Sequence, residues 1–276
     1  MRLYNKTDYD IKTLQERLLG NLEAIHQTCI QHGLTYYMWA GTMLGAVRHK
    51  GFIPWDDDMD ICMPRPDYEL LMAHWREWLP KPYAVISADT DTTYPYPFAK
   101  IEDTSTTVQE QPDFPFLEGI YIDVFPLDGM PESRLRQKLH YMRYHFWRHL
   151  LFFRGRDPYK HGRGPRSWLP RLIHACWSLE GLQRKVKRLM MKYPYDKCRL
   201  VLDYDDHLRG IIDKSLLGKP QPMDFQGHTF MGVEHAHEYL TQKYGDYMTL
   251  PPKERQIQHH FYYLNLETPY KSYGHE

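Results

Sequence analysis

The sequence predicts a mixed α/β fold of the α+β kind, a sheet core with flanking helices and a basic helical insertion. Three patterns predict it. Short apolar runs alternate with stretches of helical period through residues 1–130, and two of those runs carry carboxylates on a hydrophobic background. After Pro131 the period becomes helical and the charge strongly basic as far as Arg199. Strand-like runs then return. The expected organisation is a catalytic core over 1–130, a basic helical insertion over 131–199, and a part completing the core over 200–276.

Ile11, Leu14, Leu18, Leu22, Ile25 and Cys29 recur at helical spacing ahead of Gly33, so residues 9–32 predict an amphipathic helix closed by a glycine cap. Residues 35–40 read as a strand, Gly41-Thr42 as a turn, and 43–49 as a short helix. Residues 58–63 read as a second strand. Pro66 and Asp67 open a helix with Leu70, Leu71, Trp75 and Trp78 directed inward, stopping at Leu79-Pro80. Strands are expected at 83–88, 97–102 and 119–127. Leu135, Leu139, Met142, Phe146, Leu150 and Phe153 then mark one helix, and Leu172, Cys176, Leu179, Val186 and Met190 a second, both expected to pack on the sheet with solvated basic faces. Further on, 201–206 is strand-like, 225–233 reads as a hairpin through Gln226-Gly227, and 234–244 as a helix ended by Gly245.

Asp56, Asp57, Asp58 and Asp60 place four carboxylates within five residues. Like charges so close repel unless they are solvated or share a cation. On a strand, Asp58 and Asp60 fall on one face, and hard oxygen ligands of this kind suit Mg²⁺ or Mn²⁺. The plain alternative is a solvated acidic turn. Asp123 is the one charged residue of Ile120, Ile122, Val124 and Phe125, where a buried carboxylate needs a cation, a proton or a neighbouring Arg. If the sheet brings it beside Asp58 and Asp60, the three form an acidic triad, with the third carboxylate as metal ligand or general base. Backbone N–H groups at Gly41-Thr42 can hold a phosphate at a helix start.

Four blocks, AGTMLGAVRHKGFIPWDDDMDI, FAKIEDTST, IYIDVFPLDG and YLTQKYGDYMTLPP, occur in the order in which the LicD family carries them. Over residues 30–130 and again over 235–260 the chain thus resembles that family, the phosphocholine-transferase-like branch of the nucleotidyltransferase-fold enzymes, related to the fukutin-related branch. The resemblance implies a nucleotidyltransferase-like sheet core. It also implies a Mg²⁺-dependent transferase that moves phosphocholine, or a similar phospho-alcohol, from CDP-choline or a related CDP-alcohol to a lipid-linked or polymeric sugar acceptor of teichoic acid, lipopolysaccharide or capsule, releasing CMP. Asp58, Asp60 and Asp123 would be the metal-binding and catalytic carboxylates, with Gly41, Thr42, Arg48 and Lys100 contacting the donor. A choline group would be held by aromatic faces, of which Trp39, Trp55, Tyr94 and Tyr96 lie closest in sequence to the site. Two other readings stay open: a nucleotidyltransferase that releases pyrophosphate, and a non-catalytic scaffold of a polymer assembly complex.

The chain is long enough for one large domain, and its 42% hydrophobic content excludes a disordered chain. No apolar run approaches the roughly 18 residues of a membrane span, and the N-terminus lacks a secretory h-region. Four scattered cysteines fit reduced thiols, so a cytoplasmic location is expected. Net charge is zero, yet 134–199 holds eighteen Lys and Arg against three acidic residues. That asymmetry points to an anionic partner, and contact with the inner face of a membrane is the sharper reading. No nucleic-acid-binding signature is present. His228, His235, His237, His259 and His260 offer a weak zinc alternative.

Overall fold

Leu14, Leu18, Leu22, Ile25 and Cys29 are wholly buried along helix α1 (Ile11–His32), the face that the spacing of apolar residues selects. Asp10 caps its start by accepting the Lys12 and Thr13 N–H groups, and Gly33 ends it at φ 65°, a conformation that glycine adopts without steric cost. The structure, a computed structural model, describes residues 9–110, 116–159, 162, 164–258 and 261–273. Asn21 anchors α1 to the sheet: its buried amide donates to the carbonyls of Ile101 (3.2 Å) and Ile120 (3.1 Å).

After α1 come strand β1 (Tyr37–Met38), helix α2 (Ala40–His49), strand β2 (Asp60–Pro64) and helix α3 (Arg65–Trp78). Strands β3 (Tyr83–Ile86), β4 (Ala99–Gln109) and β5 (Glu118–Met130) follow. The helical segment comprises α4 (Arg134–Arg154), α5 (Trp168–Cys176) and α6 (Leu179–Met190). The chain then forms β6 (Leu200–Leu202), β7 (Ile212–Asp213), the hairpin β8 (Gln221–Phe225) and β9 (His228–Gly232), helix α7 (Ala236–Tyr244) and strand β10 (Tyr263–Asn265).

The principal sheet runs β1-β2-β5-β4-β10, with β3 on β4 and the β6–β7 pair on the far end of β5. It is mixed. β2 and β5 are parallel, as a crossover through α3, β3 and β4 permits, while β1 with β2 and β4 with β5 are antiparallel. β5 is the central strand, because β2, β4 and β6 all pair with it. Arg65 at the start of α3 makes a buried, two-pronged ion pair with Asp128 of β5, Nε to Oδ1 being 2.8 Å, which locks α3 onto the strand.

Several elements differ from expectation. β1 is only two residues long, because Trp39 and Ala40 turn directly into α2. On α3, Tyr68 and Leu71 face inward whereas Leu70 is exposed. The second basic helix is two helices, broken where the Ser178 side chain caps α6 by accepting the Gly181 N–H.

The largest correction concerns α4. Leu135 (67% exposed), Leu139 (53%), Met142 (66%) and Phe146 (57%) form a stripe that faces solvent. The buried face is the more polar one, His140, Tyr141, Tyr144 and Leu151, which packs with Leu182, Val186, Met190, Leu202 and Tyr204 in a second small core. This core can accept hydroxyl-bearing rings because their polar tips find partners: His140 Nε2 lies 2.5 Å from the Tyr204 hydroxyl. Lys187 of α6 ties the helices to the sheet layer through Glu69 (3.0 Å) and Asp89 (2.7 Å). Among the described residues, no helix is long and apolar enough to cross a membrane.

Candidate active site

The backbone at the head of β2 is gripped from both sides. Trp39 N–H donates to the Asp60 carbonyl (2.9 Å), Asp60 N–H donates to the Thr42 hydroxyl (2.8 Å), and Asp123 N–H donates to the Met59 carbonyl (3.1 Å). Asp60 and Asp123 are therefore fixed side by side as register partners, with Lys100 the next partner across β4. Three charged residues stand in a row across three strands.

Asp58 lies in the loop before β2 and not in the strand, so pleat alternation is not what aims it. The loop itself does that work. Ligand oxygens of Asp56, Asp57 and Asp58 lie within 4.8 Å of one another. Asp57 is fully buried and accepts the Tyr9 hydroxyl (2.5 Å), while the Gln15 amide holds the Asp56 carbonyl (2.8 Å). Gly41, the second residue of α2, lies against this loop: a Cβ there would come within 3.1 Å of Asp56 Oδ2. The preceding Ala40 has φ 44°, unusual for a residue with a side chain, and its N–H donates to the Tyr239 hydroxyl (3.1 Å).

Burial pushes the Asp60 carboxyl up, and Asp58, Asp123 and Asp56 add repulsion that the Lys243 ammonium only partly offsets. Burial likewise pushes Asp123 up to about 8, with Lys100 opposing and Glu110, Asp58 and Asp205 reinforcing. Asp123 Oδ1 is buried with no hydrogen-bond partner. An orphaned carboxylate oxygen among converging carboxylates, all hard donors, fits a small divalent cation such as Mg²⁺ or Mn²⁺. Of the three carboxylates expected to hold it, Asp60 and Asp123 are register partners, and Asp58 belongs to the loop cluster with Asp56 and Asp57.

The expected donor contacts are placed differently from one another. The first N–H groups of α2, at Gly41 and Thr42, have no acceptor within the helix and carry its positive dipole end. The Thr42 side chain is buried and committed to Asp60. Arg48, at the other end of α2, donates to the Tyr247 carbonyl (2.8 Å) and so ties the helix to the YGDYMTLPP segment. Lys100 is buried, its ammonium bound to Glu110 (2.6 Å) and Glu118 (2.8 Å) and lying 3.4 Å from the Tyr121 ring centroid. Burial opposes its charge, but the two glutamates outweigh that and keep it protonated. It bears on the site through its charge beside Asp123.

Of the four aromatic residues nearest in sequence, Trp39 and Tyr94 are core residues, 2% and 0% exposed. Tyr96 donates its hydroxyl to Glu110 (2.7 Å), and Trp55 is half-buried. Among the described residues the histidines do not assemble: His228 faces Glu23 (3.4 Å) and His237 meets the Tyr247 hydroxyl (3.0 Å), while His259 and His260 lie outside the described residues. Among the described residues, the aspartates 56–58 are the one cluster with metal-ligand geometry.

Sequence reasoning missed a second acidic loop. Asp203 accepts the Trp39 indole N–H (2.6 Å) and the backbone N–H groups of Asp205 and Asp206 (3.1 Å each). Lys243 of α7 ion-pairs with Asp206 and lends positive charge to Asp203 and Asp60. The signal was present in Asp-x-Asp-Asp directly after the apolar run Leu200, Val201 and Leu202, the same grammar as at Asp58.

A parallel pair of acid-bearing strands beside the start of a short helix defines the class. Residues 33–152 match the LicD/FKTN/FKRP nucleotidyltransferase domain. Over 260 residues, 90% of this chain and 96% of the relative, the chain is 32% identical to the lipopolysaccharide cholinephosphotransferase LicD of Haemophilus influenzae. The chain belongs to the LicD family. Shorter matches reach uncharacterised proteins of Rickettsia typhi, 39% identical over 56 residues (20% of this chain, 17% of the relative), and Rickettsia prowazekii, 45% over 42 residues (15% and 16%).

Proposed function

We propose that this chain is a transferase that moves phosphocholine from CDP-choline to a sugar hydroxyl of a lipopolysaccharide-type glycan precursor, releasing CMP. The observation that carries the reading is the pairing of Asp60 with Asp123 on adjacent strands after the Asp56–Asp58 loop cluster, with one buried Asp123 oxygen unpartnered, in a chain 32% identical over most of its length to a cholinephosphotransferase.

The acceptor oxygen forms a bond to the choline-bearing phosphorus, and the bond from that phosphorus to the oxygen it shares with CMP breaks. The acceptor proton leaves to a carboxylate, for which Asp123 is the candidate because burial raises its basicity. Asp58 and Asp60 would hold Mg²⁺, with Asp123 as the third ligand or as that base, and the ion would supply positive charge to offset the phosphoryl oxygens. The N–H groups of Gly41 and Thr42 bind and orient a donor phosphate. Lys100 keeps the field around Asp123 from becoming wholly negative. Lys243 does the same beside Asp60.

The acceptor is lipid-linked on this reading, and the protein rests peripherally on the anionic cytoplasmic face of the membrane. The exposed α4 stripe supports that contact, as do exposed Trp168 (64%), Leu169 (47%) and Leu172 (47%) of α5, within a segment of eighteen basic and three acidic residues.

Product analysis tests the reaction. Purified protein with Mg²⁺ and a lipid-linked glycan extract is offered CDP-choline, CDP-ethanolamine, CDP-glycerol and CDP-ribitol in turn. CMP appearing with CDP-choline, and only with intact Asp58, is expected. Pyrophosphate released from CTP would favour the nucleotidyltransferase alternative, and full complementation by Asp60→Ala would favour the scaffold.

A further inference from the structure

A cavity of about 370 Å³ opens between α4 and the loop after β6, at the low end of the volume usual for small-ligand sites. Its lining is unusually aromatic: Tyr141, Tyr144, Phe152, Phe153 and Tyr204 contribute rings, and Asp205 a carboxylate. Tyr144 and Tyr204 rings lie 4.4 Å apart at 47°, and Tyr141 and Tyr144 rings 5.8 Å apart at 43°, so the rings form tilted walls. Two of the polar tips are already committed. Tyr204 OH meets His140 Nε2 and Tyr141 OH meets His207 Nδ1, each at 2.5 Å.

We propose that this cavity is the choline subsite, with the trimethylammonium group against the Tyr141, Tyr144 and Tyr204 rings and beside the Asp205 carboxylate. The proposal rests on the phosphocholine-transfer reading above. A quaternary ammonium has no N–H to donate, so aromatic faces and a nearby carboxylate are what can recognise it; burial and Asp203 push the Asp205 carboxyl up, while Arg148, Lys243 and His207 oppose that and partly offset its charge. Arg148 is the one Lys or Arg in the lining, and its cation suits the phosphate half of the same zwitterion. His145 does not oppose binding: burial and the neighbouring His149 and His207 hold its pKa below the usual value and keep the ring neutral at pH 7.

The cavity also adjoins the reacting centre. Asp205 of its lining is two residues from Asp203, which accepts the Trp39 indole N–H (2.6 Å), and the Trp39 backbone N–H donates to the Asp60 carbonyl (2.9 Å), so the loop that carries Asp205 is tied to the head of β2. None of the four aromatic residues closest to that cluster in sequence lines this cavity.

The test is binding of phosphocholine, tetramethylammonium and CMP to the full chain, read by line-broadening of the ligand N-methyl and cytosine proton resonances. Variants are Tyr144→Leu, and Phe153→Leu combined with Asp205→Asn at less buried positions that preserve folding if Tyr144→Leu does not. A thermal melt verifies folding. Phosphocholine and tetramethylammonium should bind wild type and weaken about tenfold in the variants, with CMP unchanged. Wild type that binds neither cation, folded variants that bind phosphocholine as wild type does, or variants that lose CMP instead would each overturn the assignment. Phosphocholine binding that depends on the rings without CMP release from CDP-choline would sink the transferase reading and leave the pocket. CMP release at unaltered CDP-choline KM in the variants would do the reverse.

Discussion

Asp60 and Asp123 sit opposite each other on the adjacent parallel strands β2 and β5, although α3, β3 and β4 intervene in the chain. Their mutual repulsion works against the fold unless a cation relieves it, and both carboxyls are held above their ordinary range. Asp123→Asn should therefore raise the melting temperature of metal-free protein at pH 8 and above while lowering CMP release at least about a hundredfold. Mg²⁺ should raise the melting temperature of wild type and leave that of the variant unmoved. Differential scanning fluorimetry with and without EDTA reads both.

Lys100 neutralises the buried Glu118 and the partly buried Glu110. Lys100→Met should cost about 3–5 kcal/mol in urea unfolding, because Glu118 would be left buried, and Glu110 partly buried, without their cation. Adding Glu118→Gln should recover part of that loss. An unchanged urea midpoint in Lys100→Met would show that the buried pair carries no such strain.

Met142→Glu with Phe146→Glu alters only the exposed stripe of α4. The pair should leave melting temperature within a degree or two, since surface substitutions usually change stability by less than about 0.5 kcal/mol. Co-sedimentation with anionic vesicles should fall severalfold. Equal sedimentation of both proteins would remove the membrane from the picture.

His140 provides a pH signature. Burial, with Lys192 and Arg143 nearby, pushes its pKa down to about 4. Between the unfolded value near 6.5 and about 4, the unfolded chain binds the proton and the native chain does not, so stability from this group is present at neutral pH and is lost as pH falls through that window. His140→Gln should flatten the difference in urea midpoint between pH 7 and pH 5. A slope as steep as that of wild type would assign it to other groups.

Much of this was legible in the sequence, wherever local geometry decides. α1 with its Gly33 cap shows this, as does the β8–β9 turn, where Gln226 (φ 53°) and Gly227 (φ 79°) adopt the left-handed pair that such hairpins need. Asp60 and Asp123 could be singled out because a charge inside an apolar strand is costly wherever the strand lies. Burial partners were not legible. Periodicity marks one face of α4 as apolar but does not say what covers it, and here nothing among the described residues does. The reach of Lys100 to Glu110 and Glu118 depends on the bend and pairing of β4 and β5, not on its own neighbours. Asp203, Asp205 and Asp206 were hidden for the same reason: only the pairing of β6 with β5 carries their loop to the site.

Met130 and Leu200 are themselves register partners, so the helical segment departs and returns at adjacent points on the rim of the sheet. Gly129 allows that closeness, since a Cβ there would come within 2.6 Å of the Tyr193 carbonyl oxygen and 2.7 Å of Cys198 Sγ. A segment entered and left through one doorway is a cassette. Its length and chemistry can change while β2 and β5 keep Asp60 and Asp123 in register, so the segment and the acid-bearing strands can evolve on separate schedules.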